Sequence, residues 1–182
     1  MLIEEIKKDT NFLAYEQETK YQKIVNVNPL LQKRLTITEE EFSIVLRNSF
    51  PVGAGVSIGT LQNERKESRG VSYIQLNEKG RVLYPTIFLY ERFNGITVAN
   101  KATFIINEIE KIYGKKITIN QSKLSKLLGV TGGTIINWIN ENKAPVHYVE
   151  KGSVLFDVVE IATWILKNSQ MTLLYEYDLE KK

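Results

Sequence analysis

The side chains with the clearest chemistry lie close together in this chain. They are Gln62, Asn63, Arg65 and Lys66, with Arg69 just after them. Glutamine and asparagine amides can make paired hydrogen bonds with adenine, while arginine and lysine bind phosphate or guanine. Such a group on one helix indicates a surface that contacts nucleic acid. The simpler interpretation is a solvated polar face, but the surrounding pattern occurs twice in the chain, which favours contact.

The residue types that catalysis and metal binding require are scarce. The chain has no cysteine, which excludes zinc fingers, disulfide scaffolds and thiol catalysis. His147 is the only histidine, and we expect it to serve packing or to lie beside phosphate. The sequence shows no phosphate-cradling glycine loop, no paired carboxylates and no nucleophile–base pattern. We therefore expect no enzymatic activity, no cofactor and no metal site.

Composition and charge are typical of a small globular protein. The chain has 182 residues, 43% of them hydrophobic and 25% charged, and a net charge of +3. Residues 29–97 carry nine basic and seven acidic side chains, and residues 98–168 carry nine and six. This mild excess permits contact with phosphate without requiring it. Since no signal peptide or membrane span is evident, we expect a cytoplasmic protein that does not bind membranes.

Similar runs occur in both halves of the chain. Thr60 has a counterpart at Thr134, and Val82-Leu83-Tyr84 has one at Val154-Leu155-Phe156. The two blocks come in the same order, and the offset between the copies is nearly the same for both. This agreement indicates an internal repeat. The sequence therefore predicts two copies of one small module.

The second half predicts two helices joined by a glycine turn. Thr118 and Gln121 fit a capping box that starts the first helix. Gly129 can adopt the left-handed conformation of a tight turn, and Thr131 caps the second helix. The inward faces are predicted to carry Leu124, Leu127, Leu128, Ile135, Trp138 and Ile139.

A hairpin and a third helix follow this pair. Residues 145–149 and 154–156 are rich in β-forming residues and flank a predicted turn at 150–153. Asp157 with Glu160 predicts a capping box at the start of the third helix. Its inward residues are predicted to be Val158, Ile161, Ala162 and Ile165, with Trp164 beside them.

The first half predicts the same plan with a longer turn. Thr38 and Glu41 form the capping box of a helix that carries Phe42, Val45 and Leu46 inward. About six extra residues, around 50–55, are expected to loosen the turn before the next helix. A hairpin is predicted from 71–76 and 81–84 around a turn at 77–80. Pro85 is expected in the first turn of the following helix.

The other segments connect or extend the two modules. Residues 98–113 predict a helix that Gly114 ends. Residues 1–28 predict a short helix followed by an extended segment, and Leu173–Leu179 predicts a strand, with a helix as the alternative. The expected organisation is an N-terminal extension (1–28), a first module (29–97), a linker helix (98–117), a second module (118–168) and a tail (169–182).

The second-half pattern resembles a known superfamily. Residues 124–139 read Leu-Ser-x-Leu-Leu-Gly-Val-Thr-x-x-Thr-x-x-x-Trp-Ile, and 156–165 read Phe-Asp-x-x-Glu-Ile-x-x-Trp-Ile. Together they resemble the MerR/excisionase-like winged helix-turn-helix superfamily, and phage terminase small subunits carry a similar module. The first-half runs at 56–61 and 80–85 look like the excisionase version. Two such modules in one chain resemble the TraN-type DNA-binding accessory proteins of Gram-positive conjugative plasmids.

The resemblance implies a mainly α fold with small β-hairpin wings (α+β), in which two pseudo-repeated winged helix-turn-helix modules form an internal dimer. In such modules the second helix enters the major groove of DNA and the wing contacts the backbone or minor groove. In the first module the implied DNA-binding residues of the helix and the wing are Ser57, Gln62, Asn63, Arg65, Lys66, Arg69, Lys79 and Arg81.

The second recognition helix is less easily interpreted. It begins Thr131-Gly132-Gly133-Thr134 and has no cation before Lys143. The glycines can be interpreted in two ways, and both stay open. Either they allow the backbone to approach DNA closely, or they indicate a module that no longer contacts bases and has only a structural role. The implied contacts are short polar groups and phosphate-binding lysines: Lys123, Lys126, Thr131, Thr134, Asn137, Lys143 and Lys151.

The expected function is therefore that of a double-stranded DNA-binding protein of a mobile element, a plasmid transfer accessory factor or regulator. Alternatives are a phage terminase small subunit, an excisionase or a plasmid replication initiator. A further alternative, from a different functional class, is a protein–protein adaptor or inhibitor on a degenerate winged-helix fold. The expected partners are double-stranded DNA and other proteins of the same element. The chain itself is expected to be a monomer with an internal pseudo-twofold axis or a weak homo-oligomer.

Overall fold

The computed structural model describes residues 21–49 and 57–170. The predicted strand at 173–179 and the extra residues predicted around 50–55 lie outside this part of the chain. The fold is mixed α+β, with helices packed around two small antiparallel sheets. One continuous hydrophobic core contains buried residues from both halves.

The two halves have the same order of elements: a strand, two helices, two strands and a helix. The first half contains β1 (Thr36–Thr38), α2 (Glu39–Ser49), α3 (Ile58–Lys66), β2 (Tyr73–Ile74), β3 (Leu83–Pro85) and α4 (Thr86–Asn94). It is preceded by α1, described over residues 21–27, and a 3₁₀ turn (Pro29–Gln32). The second half contains β4 (Thr118–Asn120), α6 (Gln121–Leu127), α7 (Gly132–Asn140), β5 (His147–Glu150), β6 (Ser153–Asp157) and α8 (Val158–Asn168). Between the halves lies α5 (Lys101–Tyr113), and β7 (Ser169–Gln170) follows α8.

The strand order is also shared. It is β1-β3-β2 in the first half and β4-β6-β5 in the second, and β7 joins the first sheet beside β2. Ile37 pairs with Tyr84 in the first sheet, and Ile119 pairs with Phe156 in the second. All four side chains are buried. An isoleucine and an aromatic ring therefore occupy matching central positions on the core-facing side of both sheets.

Local hydrogen bonds define most helix starts as predicted. The Thr38 amide donates to Glu41 Oε2 at 2.9 Å and the Glu41 amide donates to Thr38 Oγ1 at 3.3 Å, so this capping box is confirmed. Thr131 and Asp157 cap α7 and α8 with their side chains, and Gly129 has a φ of 61°. The cap predicted at Thr118 is wrong, because this residue belongs to β4. Asn120 caps α6 instead, accepting from the Lys123 amide at 3.0 Å.

The second hairpin is confirmed, with a two-residue turn at Lys151 and Gly152, where φ is 49° and 77°. Positive φ at both positions is typical of the tight type I′ turn. The first hairpin is shorter than predicted, since only Ile74 and Leu83 pair across it. Pro85 ends β3 and lies at the N-cap of α4, one position before the predicted first turn. The extended segment predicted to reach residue 28 is also wrong, because residues 21–27 are helical.

The two halves contact each other through different surfaces. The Leu35 amide donates to Leu127 O, and Thr36 Oγ1 donates to Leu128 O, both at 2.7 Å. In addition, β7 pairs antiparallel with β2, placing Ile74 opposite Ser169. An interface with a twofold axis uses the same surface on both sides. Here the first half uses its β1 and β2 edges while the second uses the end of α6 and β7, so these contacts are of the head-to-tail kind.

Candidate nucleic-acid interface

The helices α3 and α7 begin with the same hydrogen-bonded motif. Ser57 Oγ accepts from the Thr60 amide, and Thr131 Oγ1 accepts from the Thr134 amide, each at 3.1 Å. The hydroxyls of each pair also bond to one another, at 3.0 and 2.9 Å. Since Ser57 and Thr131 are exposed, both helix N-termini face solvent, where the positive end of the helix dipole favours an anion.

Most of the polar residues predicted on α3 are exposed to solvent, but one of them forms contacts within the protein. Gln62, Asn63 and Lys66 are exposed along the helix. Arg65 is only partly exposed: its guanidinium forms an ion pair with Glu39 and donates to Tyr84 Oη at 2.8 Å. The same group lies 5.5 Å from the centre of the Tyr73 ring. Arg65 therefore joins α3 to the start of α2 and to the first hairpin.

This network shifts two pKa values. Burial tends to lower the pKa of Arg65, but its hydrogen bonds to Glu39 and Tyr84 outweigh that effect, and the pKa is raised. Burial raises the pKa of the Tyr84 hydroxyl to about 12, against the opposing effect of Arg65. Both shifts preserve a charged Arg65 and a neutral Tyr84 at physiological pH.

A groove lies between α3 and the loop of the first hairpin, with a volume of about 360 Å³. It brings together four residues predicted from the sequence: Gln62, Arg65, Lys79 and Arg81. Gln75 orders the loop by donating to Glu78 O at 2.9 Å and to Gly80 O at 3.2 Å. Glu39 and Glu40 also line the groove, so its lining combines basic and acidic side chains. The groove lining does not include four other predicted residues of this region: Ser57, Asn63, Lys66 and Arg69. Of these, Arg69 forms an ion pair with Glu67.

The second half presents a different surface. Thr131 and Thr134 bond to each other, Asn137 is exposed, and the neighbouring Ile136 exposes an apolar side chain. Lys151 is exposed in the hairpin turn. Helix α7 carries no charged residue, so direct base contacts from this helix would depend on hydroxyls and amides.

Lys143, predicted to bind phosphate, contacts the first half. Its ammonium donates to Asn77 in the loop of the first hairpin and to Glu141 Oε2 at 2.8 Å. The hydrogen bond from Lys143 lowers the pKa of Glu141, with a second contribution from Asn77. This exposed cluster therefore ties the first hairpin loop to the turn that follows α7.

Lys126 lines a cleft that the sequence did not predict. The cleft, of about 580 Å³, carries cations from both halves and from the connecting helix: Lys33, Arg34, Lys111 and Lys126. Tyr113 also lines it, and the Lys123 ammonium lies 5.3 Å from the centre of that ring. The adjacent pair Lys33-Arg34 is a visible basic signal, but nothing local connects it with Lys111 or Lys126. Only the folded chain brings these charges together.

The other candidates have structural roles. His147 Nδ1 lies 3.0 Å from Pro145 O, and its ring is 5.5 Å from that of Phe156. Trp138 and Trp164 are buried with their rings 5.5 Å apart, as core anchors, and Trp164 Nε1 donates to Lys143 O at 2.7 Å. Within residues 21–49 and 57–170 no group of three histidine, aspartate or glutamate side chains is arranged to hold a metal ion.

No helix in the described part of the chain has the length and apolar character needed to cross a bilayer. Comparison of the chain with protein-family models, with curated proteins and with solved structures finds no match.

Proposed function

We propose that this chain is a non-enzymatic, double-stranded DNA-binding protein of a mobile element, built from two winged helix-turn-helix modules. The first module reads the major groove with α3 and contacts the backbone with its hairpin, which acts as a wing. The second module supports this contact through its phosphate-facing lysines. The assignment to a mobile element rests on the sequence resemblance, whereas the binding mode rests on the geometry.

The observation that carries the proposal is the matched arrangement of α3 and α7. Each helix follows another helix, begins with an exposed hydroxyl cap and is followed by a hairpin of the same strand order. A winged helix-turn-helix module requires this arrangement, since the second helix must enter the groove while the wing reaches the backbone.

The distribution of charge favours the first module as the main reader. Lys66 ends α3 and is exposed, and Arg69, three residues beyond, is exposed beside Glu67. Lys79 and Arg81 lie exposed on the hairpin loop. Gln62 and Asn63 are exposed on the same helix, and Gln62 lines the groove with Lys79 and Arg81, so amides that can pair with base edges lie on this surface. Arg65 is not assigned a DNA contact, because its guanidinium is held by Glu39 and Tyr84.

The second module contributes mainly to backbone contact in this proposal. Helix α7 offers short polar groups, and Lys126 lies in the cleft formed with Arg34 and Lys111. Gly129, in the turn between α6 and α7, lies directly beside Arg34: a Cβ there would come within 2.7 Å of its Nη1. The basic cleft is therefore continuous with the turn that leads into α7.

The test measures binding of the whole chain to a pool of random-sequence duplexes as a function of salt, followed by selection of the tightest binders. The variant Lys66→Ala/Lys79→Ala/Arg81→Ala should weaken binding and reduce the slope of log K against log salt by about 0.9 for each phosphate that the protein no longer neutralises. Lys115→Ala, an exposed lysine outside both modules' predicted contacts, is the matched control and should leave the slope unchanged. Binding that is insensitive to salt, or that weakens equally in both variants, would contradict the proposal.

One observation favours a second candidate function, that of a protein–protein adaptor. Helix α7 exposes Ile136 and carries no charge, at a position where a DNA reader would place a polar or basic side chain. If the chain is an adaptor, it should not bind duplex DNA even at low salt. The Ile136→Lys variant should then fail to bind the protein partner that the unaltered chain binds.

A further inference from the structure

The first sheet is covered on both faces, whereas the second sheet has one open face. Cross-strand partners share a face of a sheet. Ile74 pairs with Leu83 in the first sheet, and Tyr148 pairs with Leu155 at the matching register of the second. Ile74 is 1% exposed and Tyr148 is 48% exposed, although they occupy equivalent positions.

A second pair of equivalent residues shows the same difference. Leu35 precedes β1 and Ile117 precedes β4 by one residue. Leu35 is 2% exposed, while Ile117 is 81% exposed. Because side chains alternate along a strand, these two lie on the side of Ile37 and Ile119 and not on the side of Ile74 and Tyr148. In the first half, Leu35 and Thr36 bond to Leu127 and Leu128 of the second half, and β2 pairs with β7.

The edge strands differ in the same way. The outer edge of β2 is paired with β7, but β5 ends the order β4-β6-β5. Val146 and Val149 beside this edge are exposed as well. An exposed edge strand with apolar side chains is a template for pairing with another strand. We call the β5 edge together with Val146, Tyr148 and Leu155 the open face.

We propose that the open face binds a second copy of this chain, through antiparallel pairing of β5 with β5 across a twofold axis. The twofold operation makes two edge strands antiparallel, which continues the wholly antiparallel order β4-β6-β5 into a six-stranded sheet. The inference does not depend on the proposed function, since it rests on the unequal burial of equivalent residues.

The sequence of β5 specifies the register. With Tyr148 opposite the partner's Tyr148, the two rings form a cross-strand aromatic pair on the open face, a favourable arrangement in antiparallel sheets. Val149 then lies opposite the partner's His147, and Glu150 opposite the partner's Val146. No two like charges face each other in this register. Centring the pair on Val149 instead, a slide of two residues between the strands, would place Lys151 opposite the partner's His147 and Glu150 opposite the partner's Tyr148.

The first experiment measures the mass of the 182-residue chain by sedimentation equilibrium over a range of concentrations. The unaltered chain should form a dimer. Tyr148→Lys and Tyr148→Glu should each raise the dimer dissociation constant by at least about tenfold, because like charges then meet at the centre of the interface. An equimolar mixture of the two variants should restore dimers, which a merely misfolded variant would not do. Ile44→Lys, at an exposed isoleucine on α2, is the control and should leave the dimer intact.

A cross-linking experiment provides an independent readout, because the chain contains no cysteine of its own. Under mild oxidation Tyr148→Cys should form an interchain disulfide much faster than Ile44→Cys. A chain that stays monomeric at every concentration overturns the proposal. So does a dimer that Tyr148→Lys leaves unchanged, a mixture that fails to restore dimers, or an open face that captures a different protein while the chain remains monomeric.

Discussion

Arg65 on α3 forms an ion pair with Glu39 at the start of α2, and the two side chains retain only 14% and 12% exposure. The same guanidinium donates to the Tyr84 hydroxyl. Arg65, which the sequence suggested as a DNA contact, is therefore part of the structure that holds α3 against the rest of the first half.

Arg65→Ala should mainly reduce stability. It leaves the Glu39 carboxylate partly buried without its partner, which should lower the free energy of unfolding by about 3 kcal/mol. Lys66→Ala, at the next position but exposed, should change stability by less than about 0.5 kcal/mol while weakening the proposed DNA binding. Chemical denaturation of both variants separates the two roles. An Arg65→Ala chain as stable as the unaltered protein would contradict the structural role.

Substitution of Gly129 should cost more than substitution of Gly95. Both glycines have left-handed φ values, 61° and 63°, so alanine should cost about 1 kcal/mol at either position. A Cβ at Gly129 would also meet Arg34 Nη1 at 2.7 Å, whereas nothing lies within 4 Å at Gly95. Gly129→Ala should therefore displace Arg34 from Glu41 and destabilise further, which thermal unfolding of the two variants would measure. The excess should disappear in an Arg34→Ala background, and its persistence there would show that Arg34 is not the cause.

Stability should fall at alkaline pH because of Tyr84. Its pKa is raised to about 12 by burial, above the ordinary value of 10.0. A raised pKa means that the fold favours the neutral hydroxyl, so this contribution is complete below the ordinary pKa and decreases as the pH rises through the raised value. Ultraviolet titration should show an ionisation near this raised value that is lost in Tyr84→Phe. If the titration curves of the two proteins differ only near the ordinary tyrosine pKa, the assignment fails.

The contact between the first hairpin loop and the second half should weaken in acid. Lys143 and then Asn77 lower the pKa of Glu141, so the ionised carboxylate favours the contact. That contribution is present above the ordinary glutamate pKa and disappears as the pH falls through the lowered value. Carboxyl NMR titration should return Glu141 towards its ordinary pKa in Lys143→Ala. An unchanged Glu141 titration would mean that the pair is not formed in solution.

Local chemistry explains which parts of the fold the sequence could predict. Thr38, Thr131 and Asp157 cap helices through bonds to residues two or three positions away, so their roles are visible in short runs. The prediction at Thr118 is wrong because this residue pairs with Asp157, at the end of a strand that is distant in the sequence. Neither cap geometry nor apolar spacing contains that information.

The same distinction between local sequence and tertiary contacts applies to the residues of the candidate site. The exposed residues of α3 and the hairpin loop follow from the helix and turn pattern. The partner of Arg65 is 26 residues away, and Lys143 bonds to Asn77 at a separation of 66 residues. Such pairings arise only from tertiary structure, and so does the cleft that joins Arg34 with Lys111. Residue type alone identifies these cations but cannot say which of them are free for the proposed DNA contact.

The position of β7 has a consequence for synthesis of the chain. Ser169 and Gln170 supply the outer strand of the first sheet, although Ile74, which pairs with Ser169, is translated far earlier. While the ribosome makes the intervening residues, the nascent first half has an unprotected strand edge of the kind that invites misassembly. The first sheet can be completed only after α8 and the two residues beyond it have emerged.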